Sequence, residues 1–142
     1  MKVAINRCYG GFGLSVKATM RYAELTGLTL YPVAHNGSGI DIDFDHYHLL
    51  AEGDSQFLTH YATQPPDAEG NIPDGSYWYE RWDDGERTDP ALIQVIEELG
   101  AEANGDSANL AIVEIPDGVD YEIDEYDGIE SIHEKHRSWT GE

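Results

Sequence analysis

Cys8 stands directly before Tyr9-Gly10-Gly11-Phe12-Gly13-Leu14-Ser15, with Arg7 on its other side. Glycines at 10, 11 and 13 allow several backbone amides to turn toward one point, and a helix beginning after Ser15 adds its N-terminal dipole. Such a loop can cradle an anion or activate a thiol. Arg7, Cys8, Gly10, Gly11, Gly13 and Ser15 therefore form one candidate set, suited to a small, nucleotide-like ligand. The loop matches neither the G-x-G-x-x-G fingerprint nor the lysine-bearing phosphate loop. No histidine at a telling spacing offers itself as a base for Cys8, so a packed structural thiol is the expected role and catalysis is not.

Asp41-x-Asp43-x-Asp45, with Glu52 eleven positions after Asp41, copies four acidic positions of a calcium loop. His46 occupies the sixth position, where the sharp turn needs glycine, and alternation of a strand explains the spacing with fewer assumptions. His46-x-His48 and His133-x-x-His136 supply imidazoles without a third ligand at recognisable spacing, so no metal and no cofactor are expected. Tyr77-Trp78-Tyr79-Glu80-Arg81-Trp82 is dense in rings, but Asp83, Asp84 and Glu86 follow at once, against the electrostatics of nucleic-acid capture. An exposed Trp78 there would suit an interface anchor, and rings closing a core would serve equally well.

The charge is uneven. The 142 residues carry 8 Lys+Arg against 28 Asp+Glu, a formal −20. Residues 1–71 hold 4 basic and 8 acidic side chains, and residues 72–142 hold 4 and 20, so the halves carry −4 and −16. Between Asp117 and Glu134 lie eight acids and no lysine or arginine. Such a surface repels phosphate backbones and anionic lipid and fits a basic protein, although acidity also serves solubility alone. Asp83, Asp84, Glu86, Glu122, Asp124, Glu125, Asp127 and Trp78 are accordingly the candidate partner-binding set. A lone cysteine fits a reducing cytoplasm, and no apolar run approaches the ~20 residues of a membrane span, so neither nucleic acid nor membrane is an expected partner. Self-association is left open.

These residues need elements to hold them. Residues 2–9 alternate as a strand, Ser15 caps a helix over 16–26 with Gly27 as its stop, and residues 28–33 read as a second strand weakened by Pro32. Strand, glycine loop, helix and strand together outline a βαβ unit. Ile40, Ile42 and Phe44 would share one strand face and Asp41, Asp43 and Asp45 the other. Residues 56–62 and 76–82 read as a hairpin with a long Pro/Gly-rich loop. Asp89 and Pro90 start a helix over 89–103, and residues 109–115 make the most apolar strand, expected to be central. Asp127-Gly128 between two alternating runs is a type I′ hairpin signal. The expected fold is one α+β domain over 1–142: a mixed, partly parallel sheet with both helices on one face, a central hairpin excursion and a C-terminal Asp-Gly hairpin.

Three stretches carry a resemblance: residues 5–15, Arg87-Thr88-Asp89-Pro90-Ala91-Leu92, and residues 113–128 continuing to His136-Arg137-Ser138-Trp139. They resemble a family of small acidic proteins of tailed phages and prophages, over about two thirds of the chain, with residues 30–80 idiosyncratic. No activity comes with that resemblance, and no functional residue is carried over from it. It implies an accessory protein made in the bacterial host cytoplasm. The expectation is a non-enzymatic binder of a basic host protein, as a nucleic-acid mimic or an inhibitor of host defence, with small-ligand binding at the glycine loop as the alternative.

Overall fold

The first strand, β1 (Lys2–Asn6), is buried from Val3 through Asn6, so both of its faces need cover and its register partner must be apolar. The structure, a computed structural model, describes residues 1–56 and 59–135. Within them the chain is an α+β protein with two helices and eight strands, and every strand pairing is antiparallel. It divides into two compact units, Met1–Ala18 with Trp82–Glu142, and Thr19–Arg81. No helix among the described residues is long and apolar enough to cross a membrane.

In the first unit β1 pairs with β6 (Leu110–Glu114), Val3 opposite Val113 and Ile5 opposite Ala111. Helix α2 (Pro90–Leu99) lies against both strands and buries Leu92, Ile93, Val95 and Ile96. A side chain such as Leu92, wholly buried, contributes about 1.5–3 kcal/mol by leaving water. The helix starts as its sequence requires: the Asp89 carboxylate accepts the Ala91 amide at 2.9 Å and Pro90 fills the first turn. It stops at Gly100, where φ is +57°, and a short 3-10 turn (Gly100–Ala103) replaces the last turn expected there. Strands β7 (Tyr121–Tyr126) and β8 (Ile129–Glu134) form the C-terminal hairpin in full register, from Tyr121 opposite Glu134 to Tyr126 opposite Ile129. Both residues of its turn have positive φ, Asp127 at 51° and Gly128 at 91°, as a type I′ turn demands.

Two expectations are corrected here. β6 is half of a two-stranded pair rather than the centre of a partly parallel sheet, and the strand after the first helix does not return to β1. The buried β1 took the most apolar strand in the chain as partner, whereas the later strand, with Pro32 and three polar-tipped residues, found antiparallel neighbours close by in sequence. Nearby pairing costs little loop-closure entropy.

Helix α1 (Val16–Thr26) begins in the first unit and from Thr19 on belongs to the second; its start is capped by Ser15 Oγ accepting the Ala18 amide at 3.1 Å and its end is Gly27 at φ +74°. The second unit's sheet runs β3-β2-β4-β5, built from β2 (Tyr31–Asn36), β3 (Asp43–Leu49), β4 (His60–Ala62) and β5 (Tyr77–Trp78). The sheet is therefore separate from the β1–β6 pair, and each helix serves a different sheet: on α1 the Thr19 side chain hydrogen-bonds the Tyr61 hydroxyl of β4. A β4–β5 hairpin with a long connection is present, with Tyr61 opposite Trp78, but its strands are shorter than the expected 56–62 and 76–82; Phe57 and Leu58 of the expected first strand lie outside the described residues. Residues 40–42 are not strand, and β3 begins only at Asp43. Gly37 and Gly39 both adopt positive φ, a 3-10 turn (Gly39–Asp41) follows, and Ile40 and Phe44 are exposed.

Across this sheet His35 Nε2 lies 3.2 Å from His60 Nε2, one imidazole donating and the other accepting, with the Tyr47 ring against both. Burial, and then the neighbouring charge of His35, lower the His60 pKa below its ordinary 6.5. An unfolded chain binds that proton first, so the stability contributed by neutral His60 is complete above about pH 6.5 and is lost as pH falls through the lowered value. The carboxylates held low by hydrogen bonds, Asp43, Asp54 and Asp67, lose their contribution only below the ordinary carboxylate range. Thermal unfolding should therefore give a lower Tm at pH 5.5 than at 7.5, with a flatter dependence in His60→Gln. An equal slope in the variant would refute the assignment.

Candidate functional site

The C-terminal hairpin is held by a buried ion pair. Arg87 reaches Glu130 with two parallel hydrogen bonds, Nη1 to Oε1 at 2.6 Å and Nη2 to Oε2 at 2.7 Å, both side chains being 7% exposed. The remaining groups are satisfied too. Arg87 Nε donates to the Trp82 carbonyl at 2.8 Å, Nη1 also donates to the Ala4 carbonyl, and the Asn6 amide donates to Glu130 Oε1 at 2.7 Å. The guanidinium lies 3.9 Å from the centre of the Phe12 ring, which itself tilts against Trp82. Within β1 the odd-numbered residues face β6, as the Arg7 amide bonding the Asn109 carbonyl shows, so Ala4 and Asn6 present theirs to the other edge. The ion pair occupies that edge where a third strand would otherwise sit.

Asn6 completes the attachment. Its buried side chain donates to the Gly128 carbonyl at 2.7 Å and to the Cys8 carbonyl at 2.8 Å, and accepts the Asn109 amide at 2.8 Å. The Gly10 amide donates to the Asp127 carbonyl at 3.0 Å, and the backbone of Gly128 lies directly on those of Gly10 and Gly11. The glycine loop is thus the seat of the hairpin turn. Of the six residues proposed for a small ligand, Gly10 and Gly11 meet this turn, the Gly13 carbonyl accepts the Gly105 amide at 2.9 Å, and Ser15 caps α1 while its amide bonds the Ala103 carbonyl. Arg7 is exposed, and Cys8 is half-buried, with its amide on Asn6 Oδ1.

With Glu130 anchoring the inner face of the hairpin, which Ile123 and Ile132 share, parity turns Glu122, Asp124 and Tyr126 outward, beside Ser131 and His133 of β8. Tyr126 is 76% exposed. His133 lies 3.3 Å from Asp124, and the Glu125 carboxylate caps the turn by accepting the Gly128 amide at 2.8 Å. The other acidic stretch adjoins this ribbon: the Tyr121 hydroxyl donates to the Asp84 carbonyl at 3.1 Å. Burial, then the negative charge of Asp84, raise the Tyr121 pKa. Asp83, Asp84 and Glu86 are exposed around the short 3-10 turn (Asp84–Thr88) whose one buried residue is Arg87. The same turn thus carries acids outward and the anchoring arginine inward.

Seven of the eight residues proposed for partner binding therefore belong to one unit, on the hairpin and the turn that Tyr121 joins. Trp78 does not join them. It is half-buried in the other unit, edge-on to Tyr61 with ring centres 6.0 Å apart, where it supports the sheet. Arg87, Glu130 and Asn6 were not singled out from the sequence, although one signal existed: a two-residue Asp-Gly turn sets Glu130 opposite Glu125, on the face of Ile123, so an acid had to point inward. Asp43 pairs with His46 at 2.7 Å, and His48 bonds Asn36 and Asp54. Among the described residues no three His, Cys, Asp or Glu side chains are grouped to hold a metal ion, and His136 lies outside them. No family model, no curated protein and no solved structure matches the chain.

Proposed function

We propose that this is a non-enzymatic binding protein that presents the outer face of its C-terminal hairpin, together with Asp83, Asp84 and Glu86, to a basic protein. The observation that carries the reading is the anchoring of the ribbon. A hairpin fixed through the buried Arg87–Glu130 pair and the Gly10–Asp127 bond holds its carboxylates in place before any partner arrives. Preorganised charge avoids the ordering cost that a mobile acidic tail would incur on binding. Most of the unit's described cations do little to dilute the field: Lys2, Lys17 and Lys135 pair with Glu97, Glu102 and Asp120, and Arg87 is buried, whereas Arg7 stands exposed. Tyr126, exposed among the acids, supplies an aromatic contact of the kind that anchors interfaces. A phage origin and a bacterial DNA-handling or defence protein as partner, approached as nucleic acid is approached, form the fuller version of this reading.

The test is salt-dependent association. Glu122→Gln, Asp124→Asn and Asp127→Asn together remove three charges without disturbing the turn, since asparagine tolerates positive φ. Three exposed ion pairs at about 0.5–1 kcal/mol each predict binding weakened tenfold or more at low salt, with a shallower salt dependence. Affinity for the captured basic partner that is unchanged by the triple variant would sink the proposal.

A further inference from the structure

On one side of the second unit's sheet a row of aromatic rings extends past the buried Val33 and Ala62 to the solvent. Register in the four-stranded sheet puts Tyr47, His35, His60 and Tyr77 on one side. Tyr61 and Trp78 lie on the other side, where Tyr61 bonds Thr19 of α1. On the first side the rings form a continuous row. Phe44 stands edge-on to His35 at 5.1 Å, His35 lies 4.6 Å from Tyr47, Tyr47 meets Tyr77 at 6.1 Å, and Tyr77 stacks on Tyr79 at 6.3 Å. The row is open at both ends, Phe44 being 59% exposed and Tyr79 74%, with Leu49 also exposed beside it. Rings that merely closed a core would be covered, as Tyr61 is. Singly exposed apolar residues are ordinary, but here two exposed rings end a row whose middle members, His35, Tyr47 and Tyr77, are half-buried, so one run of ring faces reaches solvent at both ends, as at a contact surface.

Charge selects the occupant. Residues 19–81 contain two basic side chains, Arg21 and Arg81, against ten acidic ones, and Arg21 pairs with Glu24. Asp43 and Asp45 flank Phe44 in the chain, and the charge of Asp45 is felt at the Tyr47 hydroxyl, which burial and its bond to Tyr77 already push up to about 12. A phosphate or sulfate would be repelled here. A guanidinium lies flat on aromatic rings, is attracted by their negative faces, and gains further from a neighbouring carboxylate.

We propose that this face binds an extended, arginine-bearing segment of a partner protein, with guanidinium groups stacked on the row from Phe44 to Tyr79. The proposal rests on the reading of a basic partner but uses none of the hairpin's residues, so each can fail alone. The probe is a synthetic octapeptide alternating arginine and glycine, titrated into the full protein and followed by tyrosine and tryptophan fluorescence, with lysine and citrulline versions alongside. The arginine peptide is expected to bind best, the lysine version more weakly, and the uncharged citrulline version not measurably. Phe44→Ser with Tyr79→Ser, both at exposed positions, should weaken arginine-peptide binding about tenfold. Asp106→Asn with Glu114→Gln, exposed acids outside both surfaces that remove two charges, should leave it within about twofold.

Equal binding by the ring variant would overturn the proposal, as would a matching loss in the Asp106 and Glu114 variant, since either would make the attraction one of net charge. A protein that sediments as a dimer and becomes monomeric in the ring variant would assign the face to a second copy and overturn it too. Tighter binding of a neutral oligosaccharide than of the arginine peptide would have the same effect.

Discussion

Glu130→Ala is expected to cost about 3–5 kcal/mol of stability, the largest single-residue effect short of the central core. The substitution removes both hydrogen bonds to a guanidinium that is itself buried, and it also leaves the Asn6 amide without its 2.7 Å acceptor. What is paid is chiefly the stranded charge of Arg87, whose Trp82 and Ala4 carbonyl partners cannot neutralise it. The double variant Arg87→Met with Glu130→Leu should consequently be less damaging than the sum of the two single changes, because no unpaired charge remains buried. It should not reach wild-type stability, since the Ala4 and Trp82 carbonyls and the Asn6 amide lose their partners together. Urea unfolding midpoints of the wild type, Glu130→Ala, Arg87→Met, Glu130→Leu and the double variant measure these differences, and added salt should change the wild-type pair's contribution little. By contrast Lys17→Ala, which breaks an exposed pair with Glu102, should cost under about 1 kcal/mol. A Glu130→Ala cost as small as that of Lys17→Ala would show that the clasp is open to water.

Gly128→Ala is expected to be nearly as damaging, at about 2–4 kcal/mol, and by a different cause. A Cβ at this position would stand 2.3 Å from the Gly11 amide nitrogen and 2.5 Å from that of Gly10. Those are backbone atoms, so no side chain can swing aside. The hairpin would have to lift off its seat, breaking the Gly10 to Asp127 bond and the Asn6 bond to the Gly128 carbonyl. Gly118→Ala is the control. Its φ of +78° imposes similar conformational strain, but nothing lies within 4 Å of the new atom, so about 1 kcal/mol is expected. Hydrogen exchange should show the amides of β7 and β8 losing protection in Gly128→Ala while those of α2 keep theirs. Equal costs at the two glycines would mean that the seat is not occupied in solution. The same variant bears on function, because a lifted hairpin no longer holds its acids in a fixed array.

What could be read from the sequence alone was local. Asp89 with Pro90, Ser15 and Gly27, and the Asp127-Gly128 turn each act through hydrogen bonds or dihedral angles within a few residues of themselves, and the structure has helix ends and the hairpin turn where those residues stand. The α+β class, the β4–β5 hairpin and the acidity of the C-terminal ribbon were legible for the same reason. The glycine loop shows where such reading stops: its composition announces a close backbone approach, and only the folded chain decides that the visitor is Gly128. Which strand lies beside β1, whether Arg87 is surface or core, and where Trp78 belongs depend on segments distant in sequence, Asn6 and Glu130 being 124 residues apart, competing for buried positions. That competition is settled by the balance of apolar burial, loop-closure entropy and the need to satisfy every buried polar group, and no local window contains all three.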